Sequence, residues 1–435
     1  MITDINDKTL NLIKNKTFRE DAERYVIQYA DFMKFAEDSG LSAVEGASPD
    51  RMAVERLSKT GRIKDYNAKS LSYGYLSPAC IDCRTGANSK TVFHTLTCNR
   101  DCYFCANMNQ EEYEYYTKNI NNAEEELDKT MEGKKVSSVA LTGGEPLLLP
   151  EKALAFFRHV SEKYPEAHKR LYTNGDLLTD ELAEQLAGAG LNEIRISVKM
   201  DKDGYPAETL EKLKIAKKFI PAVMVEMPVI PGTLEHMKDL LIKMEEIGCE
   251  GINILEFLFP WLDPEEYKKL GFRIKERPYH VLYSYNYSGG LPIAGSEDEC
   301  LKLLEFAVEK NLKLGVHYCS LENKLTSQIY SQNAGVKLMP FEIMSDKDYF
   351  IKIARVYGGN AGKVQKYLRK AGVPFQRIAG TGALEFNPKY ISELKGVDEV
   401  ALTYNVVERD GTKSHMREVK IDLVNPELFD FDKDI

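Results

Sequence analysis

The sequence predicts an α/β fold: a partial (β/α)6 TIM-type barrel with a helical N-terminal extension and a small α+β C-terminal domain. Three observations predict it. From residue 91, short apolar, β-branched runs alternate with amphipathic helical stretches, the rhythm of right-handed βαβ units on a parallel sheet. Before residue 75 the apolar spacing is mostly helical, and after residue 330 the order becomes strand, helix, strand, hairpin. The 435 residues, 43% of them apolar, suit a large α/β domain with appendages and a substantial core.

The elements follow in order. "FREDAERYVIQYADFMKFAEDSG" carries Ala22, Tyr25, Val26, Tyr29, Phe32 and Phe35 at helical spacing and ends at Gly40. "SYGYLSPACIDCRTGANS" reads as loop. "TVFHTL" is the first barrel strand, and a charged helix is expected over about 110–132. "VSSVALTG" is the second strand, and the helix 151–163 buries Ala153, Leu154, Phe156, Phe157 and Val160. "KRLYTNG" is the third strand; Thr179 then caps a helix over 180–189. "NEIRISVK", a helix over 207–218, "AVMVEMPVI", a helix from Thr233 to Gly248, and "GINILEFLF" complete six units. Past residue 260 the rhythm lapses. The insertion with Tyr279, Tyr283, Tyr285, Tyr287 and the pair Gly289-Gly290 could line a substrate pocket, close the barrel's open side, or pack as a surface loop. A capping box Ser296…Glu299 opens a helix to about Lys310, and "LKLGVHYC" is a further strand. A hairpin is expected to turn at Asp410-Gly411. The expected domains are therefore 1–75, 76–329 and 330–435.

Composition excludes several functions. The net charge of −9 argues against general nucleic-acid binding. No eighteen-residue apolar run exists, so no membrane span is expected. The start, Met1-Ile2-Thr3-Asp4, is neither basic nor apolar, which makes the cytoplasm the expected compartment.

The chemistry lies in the cysteines. Five of the eight (Cys80, Cys83, Cys98, Cys102, Cys105) crowd together, while Cys249, Cys300 and Cys319 are scattered. Such crowding in a cytosolic chain reads as metal binding. Cys98, Cys102 and Cys105 form C-x3-C-x2-C directly after the first barrel strand. Three thiolates suit three irons of a [4Fe–4S] cubane and leave the fourth open to an outside ligand. The competing reading is a zinc site that shares Cys80 or Cys83.

The stretch "CNRDCYFC", with Phe104 before its last cysteine, and "GGEP" (Gly143, Gly144, Glu145, Pro146) at the second strand's end resemble the radical S-adenosylmethionine (SAM) superfamily over roughly residues 90–260. The resemblance implies a [4Fe–4S] cluster on Cys98, Cys102 and Cys105. It implies SAM at the open iron, one-electron cleavage to methionine and a 5′-deoxyadenosyl radical, and hydrogen abstraction from a substrate. It implies a flavodoxin or ferredoxin-type reductant, and leaves open whether the substrate is a peptide, a protein or a small metabolite.

Further residues are candidates on that basis. Gly143 and Gly144 would bring backbone to the methionine ammonium, with the Glu145 charge nearby; a lone tight turn is the alternative. Ser197 resembles the family's ribose-binding residue, and Lys199 on the same face would meet the carboxylate, against the alternative of a solvated strand end. Asn174 would contact SAM or simply form a turn. Phe104, with Val229-Ile230, would flank the adenine or pack in the core. Glu256, a carboxylate in an apolar strand, needs a partner and suggests a site role. Cys80 and Cys83 could join His317 and Cys319 in a second metal site or auxiliary cluster; Cys319 could instead donate a hydrogen atom to the substrate radical, or be an inert buried thiol. Cys249 and Cys300 read as packing residues. Two other functions remain: a non-catalytic zinc-binding scaffold with a partner-binding C-terminal module, and an electron-transfer protein.

Overall fold

The computed structural model describes residues 2–44, 51–66, 69–283, 290–411 and 413–435. By its contacts the chain divides into two compact units. The larger comprises Gly40–Pro278 and Tyr285–Ser327; the smaller comprises Met1–Ser39, Tyr279–Ser284 and Gln328–Ile435.

Parallel strands build the larger unit: β1 (Ser89–Phe93), β2 (Ser138–Thr142), β3 (His168–Thr173), β4 (Glu193–Ile196), β5 (Ala222–Val229), β6 (Gly251–Glu256) and β7 (Gly315–Cys319). They pair in chain order as a partial barrel. The six anticipated units are present, and "LKLGVHYC" supplies a seventh parallel strand. Beyond β7 the sheet continues antiparallel through the hairpin Ile63–Tyr66 and Ser70–Tyr73. Ile63–Tyr66 and Ser70–Tyr73 are thus strands rather than part of a helical extension. The β7 edge needs backbone partners, and Val316–Cys319 finds them in Tyr73–Ser70.

Alternation along each strand sorts the side chains. One face sends Val139, Leu141, Leu171, Ile194, Ile196, Val223, Val225, Ile252, Ile254 and Val316 into one core with helix residues such as Leu154, Phe157, Leu186, Leu213 and Leu240. The other face points inward and is polar: Arg170, Glu193, Arg195, Asn253 and His317 are all buried.

Local chemistry explains the helix ends. Thr179 Oγ1 accepts from Leu182 N (3.2 Å), as expected of an N-cap. Gly248 ends its helix at φ +82°. The capping box fails: Ser296 Oγ instead donates to Val229 O and accepts from Phe257 N, and Glu299 accepts from Gly232 N. Gly295 takes the cap position at φ +89°. The expected helix over 110–132 breaks into Tyr113–Tyr116 and Ala123–Thr130. Glu112 is left-handed, Asn121 turns back to Phe93 O, and Asn122 starts a new helix by capping Glu125 N.

In the smaller unit, β8 (Ile351–Val356), β9 (Leu384–Phe386), β10 (Val400–Asp410) and β11 (Lys413–Val424) form an antiparallel sheet. The β10–β11 pair turns at 410–413 as expected. The helix Lys16–Asp38 lays Phe18 and Ala22 against Ala401 and Ile421, so this N-terminal helix belongs to the C-terminal sheet. Tyr279 and Tyr283 are buried in the same unit, bonded to Tyr29 and Gln332; burial there, rather than a substrate pocket, is their place. Tyr285, Tyr287 and Gly289 lie outside the described residues. Among the described residues no helix is long and apolar enough to cross a membrane.

Candidate active site at the strand ends

The cysteine loop leaves the C-terminal end of β1 and is held by the loop that leaves β2. Gly144 N donates to Thr95 O (2.9 Å) and Glu145 N to Thr97 O (2.8 Å). This approach is too close for any side chain. A Cβ on Gly144 would lie 2.0 Å from Thr97 O; one on Gly143, at φ +122°, would lie 2.3 Å from Thr95 O. The glycines therefore accommodate the close approach of protein backbone. Asn107 Nδ2 donates to Gly143 O and ties the far side of the cysteine loop to the same turn.

On this loop Cys98 is exposed and Cys102 and Cys105 are half-buried. Burial pushes the Cys102 thiol above its ordinary range, and the neighbouring Cys105 and Cys98 push it further. Burial likewise raises Cys105, with Cys98 adding to the rise. Three soft donors on one loop, two of them with anions disfavoured by burial and by their neighbours, suit a shared multi-iron centre that would stabilise the thiolates. The donor set fits an iron–sulfur cluster.

Arg100 anchors this loop across the barrel. Its Nε and Nη2 reach Asp176 Oδ2 (2.9 Å) and Oδ1 (2.5 Å); Nη2 also donates to Asn174 O (3.1 Å) and Nη1 to Ser197 O (3.2 Å). Asn99 Nδ2 donates to Asp176 (3.0 Å), and Asn174 Nδ2 donates to Asn99 Oδ1 (2.7 Å). Asn174 thus stands beside Cys98, with Nδ2 3.9 Å from its sulfur. The Arg100–Asp176 side chains hold the Asp176 carboxyl below its ordinary range. Arg100, Asp176, Asn99 and Asn107 were missed from sequence, although Arg100 and Asn99 lie inside the cysteine motif.

A cavity of about 530 Å³ opens beside Cys102, lined among others by Tyr103, Phe104, Lys199 and Ile230. Its volume is in the range of small-ligand sites. Phe104 stands edge-on to Tyr103 and Phe257, with centroids 5.0 and 5.6 Å away. Ser197 and Lys199 are exposed at the end of β4.

Other candidates are used within the fold. Glu145 is fully buried; it accepts from Thr173 Oγ1 (2.7 Å), Asn174 N (2.7 Å) and Leu147 N (2.9 Å), joining the β2 and β3 ends instead of presenting its charge to a ligand. Glu256 finds its partner in Lys275, which also bonds Glu297 (2.6 Å), and it accepts from Leu321 N (3.0 Å). Those two carboxylates hold Lys275 protonated against its burial.

Cys80 Sγ accepts from Arg195 Nη2 (3.2 Å), His317 Nε2 faces Ser70 Oγ (2.7 Å), Cys319 Sγ accepts from Asn323 Nδ2 (3.2 Å), and Cys83 is exposed. Among the described residues, the one His/Cys/Asp/Glu set with all ligand atoms within 4.8 Å is Asp4, His280 and Asp422, where Lys420 already pairs both aspartates. Cys80, Cys83, His317 and Cys319 are not drawn together at zinc spacing in this structure. Cys249 and Cys300 are buried in the barrel core.

Residues 92–243 match the model of the Radical SAM superfamily. The "Putative glycyl-radical enzyme activating enzyme MJ0021" of Methanocaldococcus jannaschii is 28% identical over 300 residues, covering 65% of this chain and 74% of that protein. Among solved structures, Streptococcus suis SuiB bound to precursor peptide SuiA is 14% identical, with a TM-score of 0.37 over 66% of this chain and 56% of that one. The enzyme anSMEcpe, with AdoMet and a peptide bound, is 18% identical, with a TM-score of 0.32 over 40% of this chain and 52% of that one. The chain thus spans little more than half the length of those solved proteins. The matched segment holds the strands and loops that carry Cys98, Cys102, Cys105 and the Gly143-Gly144 turn, so the part of the chain that builds this site is similar to the radical SAM superfamily, a family of enzymes whose cofactors are a [4Fe–4S] cluster and SAM.

Proposed function

We propose that this enzyme uses Cys98, Cys102 and Cys105 to hold a [4Fe–4S] cluster and the cavity beside Cys102 to hold SAM. When bound, the two supply one-electron cleavage of SAM and a 5′-deoxyadenosyl radical that takes a hydrogen atom from the substrate. The observation that carries the reading is three cysteines on one loop at the strand ends, beside a ligand-sized cavity lined by Cys102.

The chain's residues have distinct tasks in it. Phe104 and Ile230 give the cavity an apolar wall that excludes water. Lys199 offers a cation to a carboxylate, and Ser197 and Asn174 offer hydrogen bonds at the neighbouring strand ends. Gly143 and Gly144 keep the two loops in backbone contact. Exposure of Cys98 leaves a side open to a flavodoxin or ferredoxin-type reductant, in keeping with a cytoplasmic enzyme.

The Methanocaldococcus relative favours one substrate class: a glycine residue of a partner protein, as that relative's name describes for itself. A peptide or a small metabolite would use the same cavity. The test is anaerobic reconstitution with iron and sulfide, reduction by dithionite, and chromatography for 5′-deoxyadenosine. Wild-type protein should yield it, and Cys98→Ala should not. Zinc without sulfide in the purified protein would support the scaffold reading instead.

A further inference from the structure

The loop that follows β6 takes a conformation its own sequence opposes. Asp263-Pro264-Glu265-Glu266 opens the helix Pro264–Lys269. Aspartate before a first turn, proline at its first position and glutamate at its third favour an N-cap residue with extended backbone. The following proline also steers Asp263 toward extended backbone. Asp263 instead stands at φ +47°, ψ +61°, and its side chain makes no capping bond. Two residues earlier, Trp261 stands at φ +65°. A positive φ is costly for so bulky a side chain. Strain of this kind persists where the surroundings impose it, and it gathers at ligand sites.

Both ends of this stretch are fixed. Leu258 and Phe259 pair with Pro292 and Leu291, and Tyr267 Oη donates to Leu258 O (2.7 Å). Asn109 Nδ2 donates to Pro260 O (2.7 Å), and Asn109 ends the short helical turn that directly follows Cys105. On the far side the helix begins at Pro264. Trp261–Asp263 is the part left to move, and Leu262 and Asp263 are exposed. Asp263 also belongs to the wall of the cavity beside Cys102, with Glu266, Leu270 and Phe272. Among the described residues its carboxylate has neither a hydrogen bond nor an ion pair.

We propose that Trp261–Asp263 is a two-state strap in the cavity wall, and that a positively charged ligand group selects the state seen here. In that state the Asp263 carboxylate serves the cavity at the cost of two left-handed residues. In the other, Asp263 turns to extended backbone and caps the helix Pro264–Lys269. A ligand shifts such an equilibrium only by binding one state better than the other. The unpaired carboxylate supplies that difference for a cation. SAM carries sulfonium and ammonium cations; that SAM is the ligand rests on the radical reading above.

The probe is SAM, added to reconstituted full-length protein left oxidised so that no cleavage occurs. Equilibrium dialysis reads binding. Trp261, the one tryptophan of the chain, reads the strap by its fluorescence. Its emission should shift in step with SAM occupancy. Trp261→Gly removes strain without changing a residue of the cavity wall, and should tighten SAM binding about 5- to 10-fold. Trp261→Phe keeps the strain and should bind as wild type does. Asp263→Asn keeps a capping side chain, loses the charge, and should weaken binding by a similar factor. Constant Trp261 emission while SAM binds, Trp261→Gly binding no more tightly than Trp261→Phe, or wild-type affinity in Asp263→Asn overturns the proposal. If Trp261→Gly does not fold, the emission and Asp263→Asn decide. Wild-type protein that binds no SAM in dialysis would overturn the radical reading and this proposal together, whereas a silent strap beside bound SAM leaves the radical reading standing.

Discussion

Four hydrogen bonds leave the Arg100 guanidinium, and every acceptor lies just beyond the ends of β3 or β4. A single side chain thus sets where Cys98 and Cys102 stand over the barrel. Asp176 is 40% exposed, so the ion pair contributes only about 1 kcal/mol to stability. Its larger effect is on position, because small misplacements of reacting groups cost up to about 100-fold in rate. Arg100→Gln is therefore expected to keep the fold and bind iron, while slowing SAM cleavage about 10- to 100-fold and broadening the reduced cluster's EPR signal. Unchanged turnover with an unchanged signal would contradict the positioning role. At this scale the sequence was readable where a motif named the residue, as with Cys98, Cys102 and Cys105. It misled at Glu145 and Glu256, because an acidic residue in an apolar run does not reveal that Thr173 or Lys275 will meet it from distant positions.

Between elements, the decisive contact is the backbone seam joining 95–97 to 143–145. Gly144→Ala would force Thr97 O away from a Cβ 2.0 Å distant. It should release the cysteine loop and lower iron content after reconstitution, measured against a wild-type control, while far-UV circular dichroism stays close to native. Deeper in the sheet, Glu193 on β4 accepts from Arg195 (2.6 Å), Ser77 (2.6 Å) and His168 (3.0 Å). Burial raises its pKa, but Arg195 first, then His168 and Ser77, bring it down to about 2. A depressed carboxylate stabilises the fold above its unfolded pKa of about 4.3, and that stability is lost as pH falls toward 2. Urea midpoints should therefore drop between about pH 4 and pH 2, and Glu193→Gln should be less stable at neutral pH with a shallower acid decline. Equal slopes for the two proteins would contradict this assignment.

Across the whole chain, what was legible was what is periodic. The βα alternation placed all six expected strands, since helix-facing Val, Ile and Leu recur at period two and helix stripes at three to four. The Ile63–Tyr66 and Ser70–Tyr73 hairpin was hidden because its reason is the open edge of β7, about 240 residues away. The membership of the Lys16–Asp38 helix was hidden for the same cause: Phe18 and Ala22 advertise an apolar stripe but not that Ala401 and Ile421 cover it. The central claim concerns the three thiols, and one measurement tests it most directly. Reconstituted protein, reduced by dithionite without oxygen and supplied with SAM, should accumulate 5′-deoxyadenosine, with none formed by Cys98→Ala, Cys102→Ala or Cys105→Ala. Absence of 5′-deoxyadenosine from a wild-type protein holding about four irons and four sulfides, or its undiminished formation in those variants, would contradict the account.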